Sequence, residues 1–462
     1  MGRHSEWLPS VSGVPASTTE SETQGPAPAA LRVAVVADSD TRWKWGALTA
    51  RRLAPAGREV RLEGRLLRGR ATPTPRQLAE VGVGSDSLRE VGAVEFLREA
   101  ADEPYDVVVL ALVGGGVQAM LHGLRHAWGA RTAGRRPVVV TGYVGIVYEK
   151  LADGLLLRHG ADLVLANSRQ DADRFRAVYE GVGADAGAVT EVALPFLGGE
   201  PYRGGSGDRP YTVVFAAQPS VPESRKDRMH VLERLVRHAR RHPEREVLLK
   251  LRSRPGEQTT HIEELPYQKL VRGLEPPANF RLVYGHMGEV LDRTDLLVTV
   301  SSTAALESLH RRIPTAVLTD LGVREALGNH HFTGSGVLTS FDDLDAGRLP
   351  VPDEGWLARQ GVAADGDYAH AFDAARNRLA ALLESPGLPP LDPYYTLRTA
   401  SGYLPGVLAR HHLAPDGAPL PGAPAGDRAP GPLRRAVRET ARGAYRHGVQ
   451  RVAPLIRRLG EL

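Results

Sequence analysis

Short, uninterrupted apolar runs recur along this 462-residue chain, and helical sequence follows or separates them. The first series of runs comprises residues 31–37, 106–113, 137–141 and 162–166. The second series comprises residues 211–217, 246–252, 280–285, 295–300 and 315–320. Apolar runs that alternate with amphipathic helices are typical of buried parallel strands in α/β layered folds. The pattern therefore predicts two successive α/β units.

The two series are separated by residues 198–210, GGEPYRGGSGDRP, and this glycine-rich composition predicts an interdomain linker. We therefore predict an α/β protein with one domain at residues 31–197 and a second at residues 211–403. Each domain is expected to be a Rossmann-like, doubly wound parallel sheet. The two sheets are expected to face each other across a cleft. Ligands of such sheets bind beyond the carboxyl ends of the strands, so we expect the site in that cleft.

Three segments lie outside these two domains. Residues 1–30 lack the apolar core of a secretory signal and are predicted to be a disordered leader. Residues 404–432 are rich in proline, glycine and alanine, which predicts an extended linker. Residues 433–462 combine apolar residues at three- and four-residue steps with eight arginines, so they predict a basic amphipathic helix. Such a helix can lie on an anionic membrane surface. Alternatively, it packs its apolar stripe on the body of the protein.

The composition excludes several classes of protein. The chain has no cysteine, so disulfides, thiolate metal sites and cysteine nucleophiles are excluded. The formal net charge of +4 comes from the basic tail, which leaves the body slightly acidic and argues against a nucleic-acid partner. No apolar run approaches the roughly 20 residues that a membrane-spanning helix needs. We expect a cytoplasmic protein that is peripheral to the inner face of the plasma membrane if the tail binds lipid.

Three consecutive hydroxyl residues, Ser301, Ser302 and Thr303, follow the apolar run 295–300 and open a helix. The free amides of a first helical turn, the helix dipole and these hydroxyls together can bind a phosphate. Glu307 lies one to two turns into the same helix, where its carboxylate could accept hydrogen bonds from a ribose. The alternative is an ordinary Ser/Thr helix cap.

Two cations lie at the end of the run 246–252. Strand alternation places Lys250 and Arg252 on the same side, where they could neutralise a diphosphate or a leaving phosphate. The alternative is a pair of solubilising surface cations. Gln218 follows the run 211–217, and its amide is predicted to meet a base or a ribose.

The corresponding residues of the first domain are assigned to an acceptor. Asp38 or Asp40 could act as the general base on an acceptor hydroxyl. An Asx turn with helix capping is the alternative. Trp43 could stack on a sugar ring. Three other residues are also assigned to acceptor binding: Lys44, Gly115 and Tyr143.

The segment VTVSSTAALESL, followed by RRIPTAVLTD, resembles the second domain of GT-B-type transferases. It is most similar to the bacterial capsule and teichoic-acid group, which includes CDP-glycerol glycerophosphotransferases and polysialyltransferases, and to an actinobacterial group of glycosyltransferases. This resemblance implies that Ser301 and Ser302 bind the donor phosphate. Those relatives carry a Lys-x-His-Pro motif whose histidine assists the leaving phosphate, and here Arg252 stands in the histidine's place. Arginine can neutralise the phosphate but cannot protonate it.

The resemblance implies a glycosyltransferase that moves a sugar from a nucleotide-activated donor to a hydroxyl of a cell-surface polysaccharide or lipid-linked acceptor. We expect inversion at the anomeric carbon. We expect neither a cofactor nor a metal, because side chains and a helix end neutralise the leaving group. Two alternatives stay open. A GT-B-shaped sugar-nucleotide epimerase or hydrolase would form product without an acceptor, and a non-catalytic, two-lobed anion-binding protein would bind ligand without turnover.

Overall fold

A computed structural model describes residues 30–423, except 70, 130–134, 147–149, 206, 255–256, 258–262 and 363–366. The predicted basic tail, and the predicted leader apart from its last residue, lie outside the described residues. Within the described part of the chain, no helix is both long enough and apolar enough to cross a bilayer.

The first sheet contains seven strands: β1 Leu31–Ala37, β2 Val60–Leu67, β3 Ser87–Val91, β4 Val107–Ala111, β5 Val138–Gly142, β6 Leu163–Ala166 and β7 Val189–Glu191. All pair in parallel, in the order β3-β2-β1-β4-β5-β6-β7. The intervening helices are α1 Asp40–Leu53, α2 Pro75–Val81, α3 Ala93–Asp102, α4 Gly114–Gly129, α5 Leu151–Leu156 and α6 Arg169–Gly181.

The second sheet contains six strands: β8 Thr212–Ala216, β9 Glu246–Lys250, β10 Phe280–Val283, β11 Leu296–Thr299, β12 Thr315–Leu318 and β13 Leu338–Thr339. These also pair in parallel, in the order β10-β9-β8-β11-β12-β13. Its helices are α7 Arg225–Arg241, α8 Tyr267–Leu270, α9 Met287–Leu291, α10 Ala304–His310, α11 Phe341–Asp345 and α12 Glu354–Arg359. The last two helices of the described chain are α13 Asp373–Glu384 and α14 Leu404–Ala409.

Both faces of the first sheet are covered, as the apolar character of its central strands requires. Val33 and Val35 of β1 pack with α1 on one face, and Ala34 and Val36 pack in the cluster that contains α3 and α4 on the other. The second sheet repeats the same strand order: successive strands are added toward one edge up to β10 and toward the other edge from β11, so the order reverses between β8 and β11. The predicted fold class, two Rossmann-like doubly wound parallel-sheet domains of GT-B type, is confirmed.

Strand β2 was not among the predicted apolar runs, because this strand buries charges. Glu63 and Arg65 are less than a tenth exposed, and their side chains form an ion pair at 2.8 Å. Arg65 also bonds to Glu99 at 2.5 Å and to the hydroxyl of Tyr105 at 3.0 Å. Buried charges are tolerated when they are paired and hydrogen-bonded, so this network replaces apolar packing under the strand.

After the second domain, the chain returns to the first. Leu379 of α13 packs in the core beside α1, and Leu404 and Leu408 of α14 are fully buried in the core beside α4. The predicted domain boundary at residue 403 and the predicted extended linker from residue 404 are therefore wrong here. Leu404, Val407 and Leu408 have the spacing of a helical apolar stripe, which the proline and glycine around them obscured.

Candidate functional site

Each sheet reverses its strand order at one point, and a side chain bridges the gap there. In the first sheet, the Asp38 carboxylate after β1 accepts the backbone N–H of Val113 after β4 at 3.0 Å. In the second, the Gln218 carbonyl oxygen after β8 accepts the backbone N–H of Ser301 after β11 at 3.1 Å. Ligands of open parallel sheets bind at these switch points, so the candidate site lies where the two edges meet.

The two donors of Ser301 are both engaged within the protein. Its hydroxyl donates to the Leu327 carbonyl at 2.6 Å, and its backbone N–H donates to Gln218. Ser301 is only 2% exposed. The structure thus brings Gln218 and Ser301 together, because they follow the neighbouring strands β8 and β11. It places Ser301 as a residue that fixes the loop before Leu327, and a direct phosphate contact by Ser301 stays a prediction.

Of the three consecutive hydroxyl residues, Ser302 and Thr303 are half-buried. The Ser302 backbone N–H donates to Thr299 Oγ1 at 3.1 Å, and its hydroxyl oxygen accepts the N–H of Ala304 at 3.3 Å. Thr303 Oγ1 lies 3.4 Å from the position that a Cβ on Gly145 would take, so it faces the first domain. These two hydroxyls remain predicted phosphate ligands.

Lys250 and Arg252 point from the end of β9 toward the first domain. Arg252 donates to Asp40 Oδ1 at 2.5 Å and also to the hydroxyl of Thr41. Lys250 Nζ lies 3.6 Å from Glu80 Oε1 of α2. Burial lowers the pKa of the Lys250 ammonium, although Glu80 opposes this shift. The two predicted donor cations are therefore held by carboxylates of the opposite domain.

The two candidate bases of the first domain differ in their partners. Burial raises the pKa of the Asp40 carboxyl, but the charge and hydrogen bond of Arg252, together with the hydrogen bonds from Thr41, outweigh burial, so the pKa of Asp40 lies below its usual range. Asp38 accepts from Arg42 at 2.9 Å and from the backbone of Val113. Asp40 is a weak base while it is paired with Arg252, and Asp38 is committed to bridging β1 and β4.

Lys44 and Glu307 meet between the domains. Lys44 Nζ lies 3.9 Å from Glu307 Oε2 and 4.8 Å from the ring centroid of Phe196. Burial raises the pKa of the Glu307 carboxyl, against the effect of Lys44 and of Arg311. The assignments of Glu307 to a ribose and of Lys44 to the acceptor stay predictions, and Lys44 reaches toward the second domain.

The remaining acceptor assignments fall on packed residues. Trp43 is fully buried against the first sheet, so its predicted stacking on a sugar is wrong. Gly115 lies under α14, where a Cβ on this glycine would stand 3.5 Å from the Val407 side chain. The Tyr143 ring lies 4.0 Å beneath the guanidinium of Arg158, and its hydroxyl donates to a backbone carbonyl at 3.4 Å. These contacts give Gly115 and Tyr143 packing roles, and acceptor binding by either stays a prediction.

His286 is a titratable residue of the site that was not predicted from the sequence. It immediately precedes α9, shortly after β10 ends. Burial lowers the pKa of His286, and the charges of Lys44, Arg311 and Lys250 lower it further. Its signal in the sequence was its place after an apolar run, which is the same signal that identified Lys250 and Ser301.

One group of potential metal ligands occurs among the described residues, away from this site. The ligand atoms of His238, His242 and Asp345, on or beside α7 and α11, lie within 4.8 Å of one another. His238 Nδ1 bonds to Asp345 at 2.7 Å, while Arg245 approaches the other ring nitrogen at 3.4 Å and Arg234 approaches Asp345 at 3.4 Å. Guanidinium groups this close repel a cation, so the group fits an ion-pair network.

Comparison with known families identifies the chain. A family model described as "Putative glycosyltransferase (DUF6716)" matches residues 33–382. The chain belongs to this family. The match begins in β1 and ends in α13, so it covers both sheets and every residue of the candidate site. A search of curated proteins finds no match.

Solved structures with similar architecture include both transferases and epimerases. The spinosyn rhamnosyltransferase SpnG is 14% identical over 80% of this chain and 100% of its own, with a TM-score of 0.38. The lipopolysaccharide outer core galactosyltransferase WaaB is 11% identical over 75% and 99%, with a TM-score of 0.40. The UDP-GlcNAc 2-epimerase from Neisseria meningitidis is 10% identical over 77% and 100%, with a TM-score of 0.43. At these scores the likeness carries no argument about activity, and the fold assignment rests on the strand order.

Proposed function

We propose that the chain is a glycosyltransferase that moves a sugar from a nucleotide-activated donor to a hydroxyl of a cell-surface polysaccharide or lipid-linked acceptor. Membership of the family supports the reaction class. The observation that carries the proposal is the pairing of Lys250 and Arg252 with carboxylates of the first domain, because it brings anion-binding groups and a candidate base to one place.

The second domain binds the donor in this proposal. Lys250 and Arg252 neutralise the phosphate that leaves with the nucleotide, and the hydroxyls of Ser302 and Thr303 donate hydrogen bonds to it. Ser301 contributes indirectly, by holding the loop before Leu327 in place. Glu307 accepts from the ribose, and Gln218 stands beside the nucleotide at the switch point. Because these groups neutralise the leaving charge, no metal is needed.

The first domain presents the acceptor hydroxyl in this proposal. Asp40 takes the proton from that hydroxyl, and Asp38 is the second candidate for this role. The acceptor oxygen attacks the anomeric carbon from the side opposite the nucleotide, the bond between that carbon and the phosphate oxygen breaks, and the configuration inverts. A base that is bound to Arg252 accepts a proton poorly, so the arginine must turn toward the phosphate first.

We also propose that residues 433–462 bring the enzyme to an anionic membrane on the cytoplasmic side. Their eight arginines and apolar stripe support this placement, because lipid-linked and polymeric acceptors are found at membranes. The full chain is expected to sediment with vesicles that contain an anionic lipid and to remain in the supernatant with neutral vesicles. Equal sedimentation of a chain that ends at residue 431 would contradict this role.

The activity test is incubation with nucleotide sugars, with and without a panel of saccharide and lipid-linked acceptors, followed by chromatography of nucleotide and sugar products. A transferase releases nucleotide in proportion to acceptor, and Asp40→Asn lowers this rate by roughly 100-fold or more. Conversion of the sugar nucleotide without acceptor indicates an epimerase or hydrolase. Binding without any product indicates an anion-binding protein, and either result would overturn the proposal.

A further inference from the structure

Two carboxylates of the first domain hold the cations that the second domain offers at the end of β9. Asp40 Oδ1 accepts from Arg252 at 2.5 Å, and Glu80 Oε1 lies 3.6 Å from Lys250 Nζ. The same oxygen of Glu80 accepts the backbone N–H of Gly285 at 3.0 Å, just beyond the end of β10. A lysine ammonium together with a main-chain amide, or an arginine guanidinium, is how proteins bind a phosphate oxygen. The carboxylates of Asp40 and Glu80 therefore make the contacts that a bound phosphate oxygen would make.

We propose that Asp40 and Glu80 form a latch between the domains, which occupies the anion positions at Lys250 and Arg252 until a phosphate-bearing donor displaces it. This inference rests on the proposed function, because it takes Lys250 and Arg252 as the groups that receive the donor phosphate. The donor and the latch then compete for the same two cations. The apparent affinity for the donor is reduced by the fraction of molecules in which the latch is closed.

The contacts around Lys250 indicate that Glu80 and a phosphate compete for its ammonium and cannot both occupy it. The Lys250 side chain is only 9% exposed, and its ammonium already donates to the Leu251 carbonyl at 2.9 Å. A phosphate that approached while Glu80 stayed in place would set two like charges around one ammonium, which is unfavourable where solvent is largely excluded. The carboxylate of Glu80 must therefore leave Lys250 before a phosphate can bind there.

Arg76 provides a partner that Glu80 keeps when the latch opens. The second carboxylate oxygen of Glu80 pairs with Arg76, one helical turn earlier on α2. Arg76 also forms an ion pair with Glu257 of the second domain. Because Glu80 remains paired within its own domain, displacement from Lys250 does not leave a buried, unpaired charge. That lowers the cost of opening at Glu80.

Opening the latch also links donor binding to the chemistry. Arg252 is the charge that holds the pKa of Asp40 down against the effect of burial. When Arg252 turns from Asp40 to a phosphate, Asp40 becomes a stronger base. The donor must therefore bind before the acceptor hydroxyl can be deprotonated, and acceptor alone is not activated.

The first measurement is the affinity for inorganic pyrophosphate by calorimetry, for wild type, Glu80→Gln, Asp40→Asn and the double variant. Glu59→Gln is the matched control, because it removes the same charge from an exposed position beside the amino end of β2, at the opposite edge of the sheet. We expect each latch variant to bind pyrophosphate roughly three- to tenfold more tightly and the double variant more tightly still, with Glu59→Gln equal to wild type. Unchanged or weaker binding by the latch variants would overturn the latch.

The second measurement separates a latch from simple charge repulsion. The chain has no cysteine, so spin labels can be placed at two introduced cysteines, Arg98→Cys on α3 and Arg237→Cys on α7, both at exposed positions. Loss of the two ion pairs is expected to broaden the distribution of interdomain distances. Pyrophosphate is expected to shift the wild-type distribution in the same way. Identical distributions in wild type and the Glu80→Gln/Asp40→Asn double variant would overturn the latch.

The two proposals fail in different ways. If no nucleotide or nucleotide sugar binds to wild type or to the latch variants, the proposed function fails. If nucleotide is released in proportion to acceptor, but the latch variants leave the pyrophosphate affinity or the distance distribution unchanged, the proposed function stands and the latch is wrong.

Discussion

At the scale of single residues, Ser301 and Ser302 are neighbours with different surroundings. Ser301→Ala removes the donor to the buried Leu327 carbonyl, so we expect a loss of about 1–2 kcal/mol in stability, seen as a lower Tm. Ser302→Ala leaves that contact intact and removes only the long hydrogen bond from the Ala304 N–H, so its Tm should fall less than that of Ser301→Ala while nucleotide binding weakens. Equal Tm losses in both variants would contradict this division of roles.

The pair between Asp40 and Arg252 predicts a dependence of stability on pH. The pKa of Asp40 is lower in the folded protein than its ordinary value of 3.8, so the pair stabilises the fold above that pH and its contribution is lost as pH falls through the folded-state pKa. Wild type should exceed Asp40→Asn by about 1–2 kcal/mol at pH 7, and the difference in Tm should shrink below pH 4.

The control for this comparison is Asp173→Asn, which changes an exposed carboxylate on α6. It should change the Tm little at either pH, because exposed ion pairs contribute little to stability. A difference between wild type and Asp40→Asn that stays constant down to pH 2 would show that Arg252 does not lower the pKa of Asp40.

At the scale of secondary structure, α14 is part of the first domain although the chain reaches it only after the second. Leu408 is fully buried in the core beside α4. Leu408→Ala should therefore cost about 2–5 kcal/mol and lower the unfolding temperature of the first domain. Leu397→Ala removes a leucine that is 52% exposed and should cost little. Equal stability of the two variants would show that α14 does not belong to this core.

The elements also show what the sequence can and cannot predict. Four central strands are apolar on both faces, namely β1, β4, β8 and β11. Their sequences therefore predict strands, and the candidate site residues that follow them could be identified. The charges that β2 buries are paired with residues as distant in the sequence as Glu99. Helix α14 can be recognised only from the residues against which it packs. Trp43 looked like a substrate contact because its position after β1 does not reveal which way it points. Such information resides in tertiary contacts.

At the scale of the whole molecule, two Rossmann-like domains meet through opposite charges at their carboxyl edges. The first domain contributes Asp40 and Glu80, and the second contributes Arg252 and Lys250. Ligands of open parallel sheets bind at the carboxyl ends of the strands, so the sequence predicted a site at these edges and included Lys250 and Arg252 in it. It could not predict that carboxylates of the other domain would bind them, since the pairing depends on how the two domains are arranged.

The most direct test of the account is a thermal-shift titration with CMP, CDP, UDP, GDP and NAD, without added metal. Wild type is compared with Ser302→Ala, Lys250→Met and the control Lys226→Met, which changes an exposed lysine at the start of α7. A nucleotide at about 100 times its Kd adds roughly 2.7 kcal/mol of stability, a rise of several degrees. We predict such a rise with one nucleotide for wild type and Lys226→Met, and its loss in the other two variants. No rise with any nucleotide, or the same rise in all four proteins, would contradict a nucleotide site at the facing sheet edges.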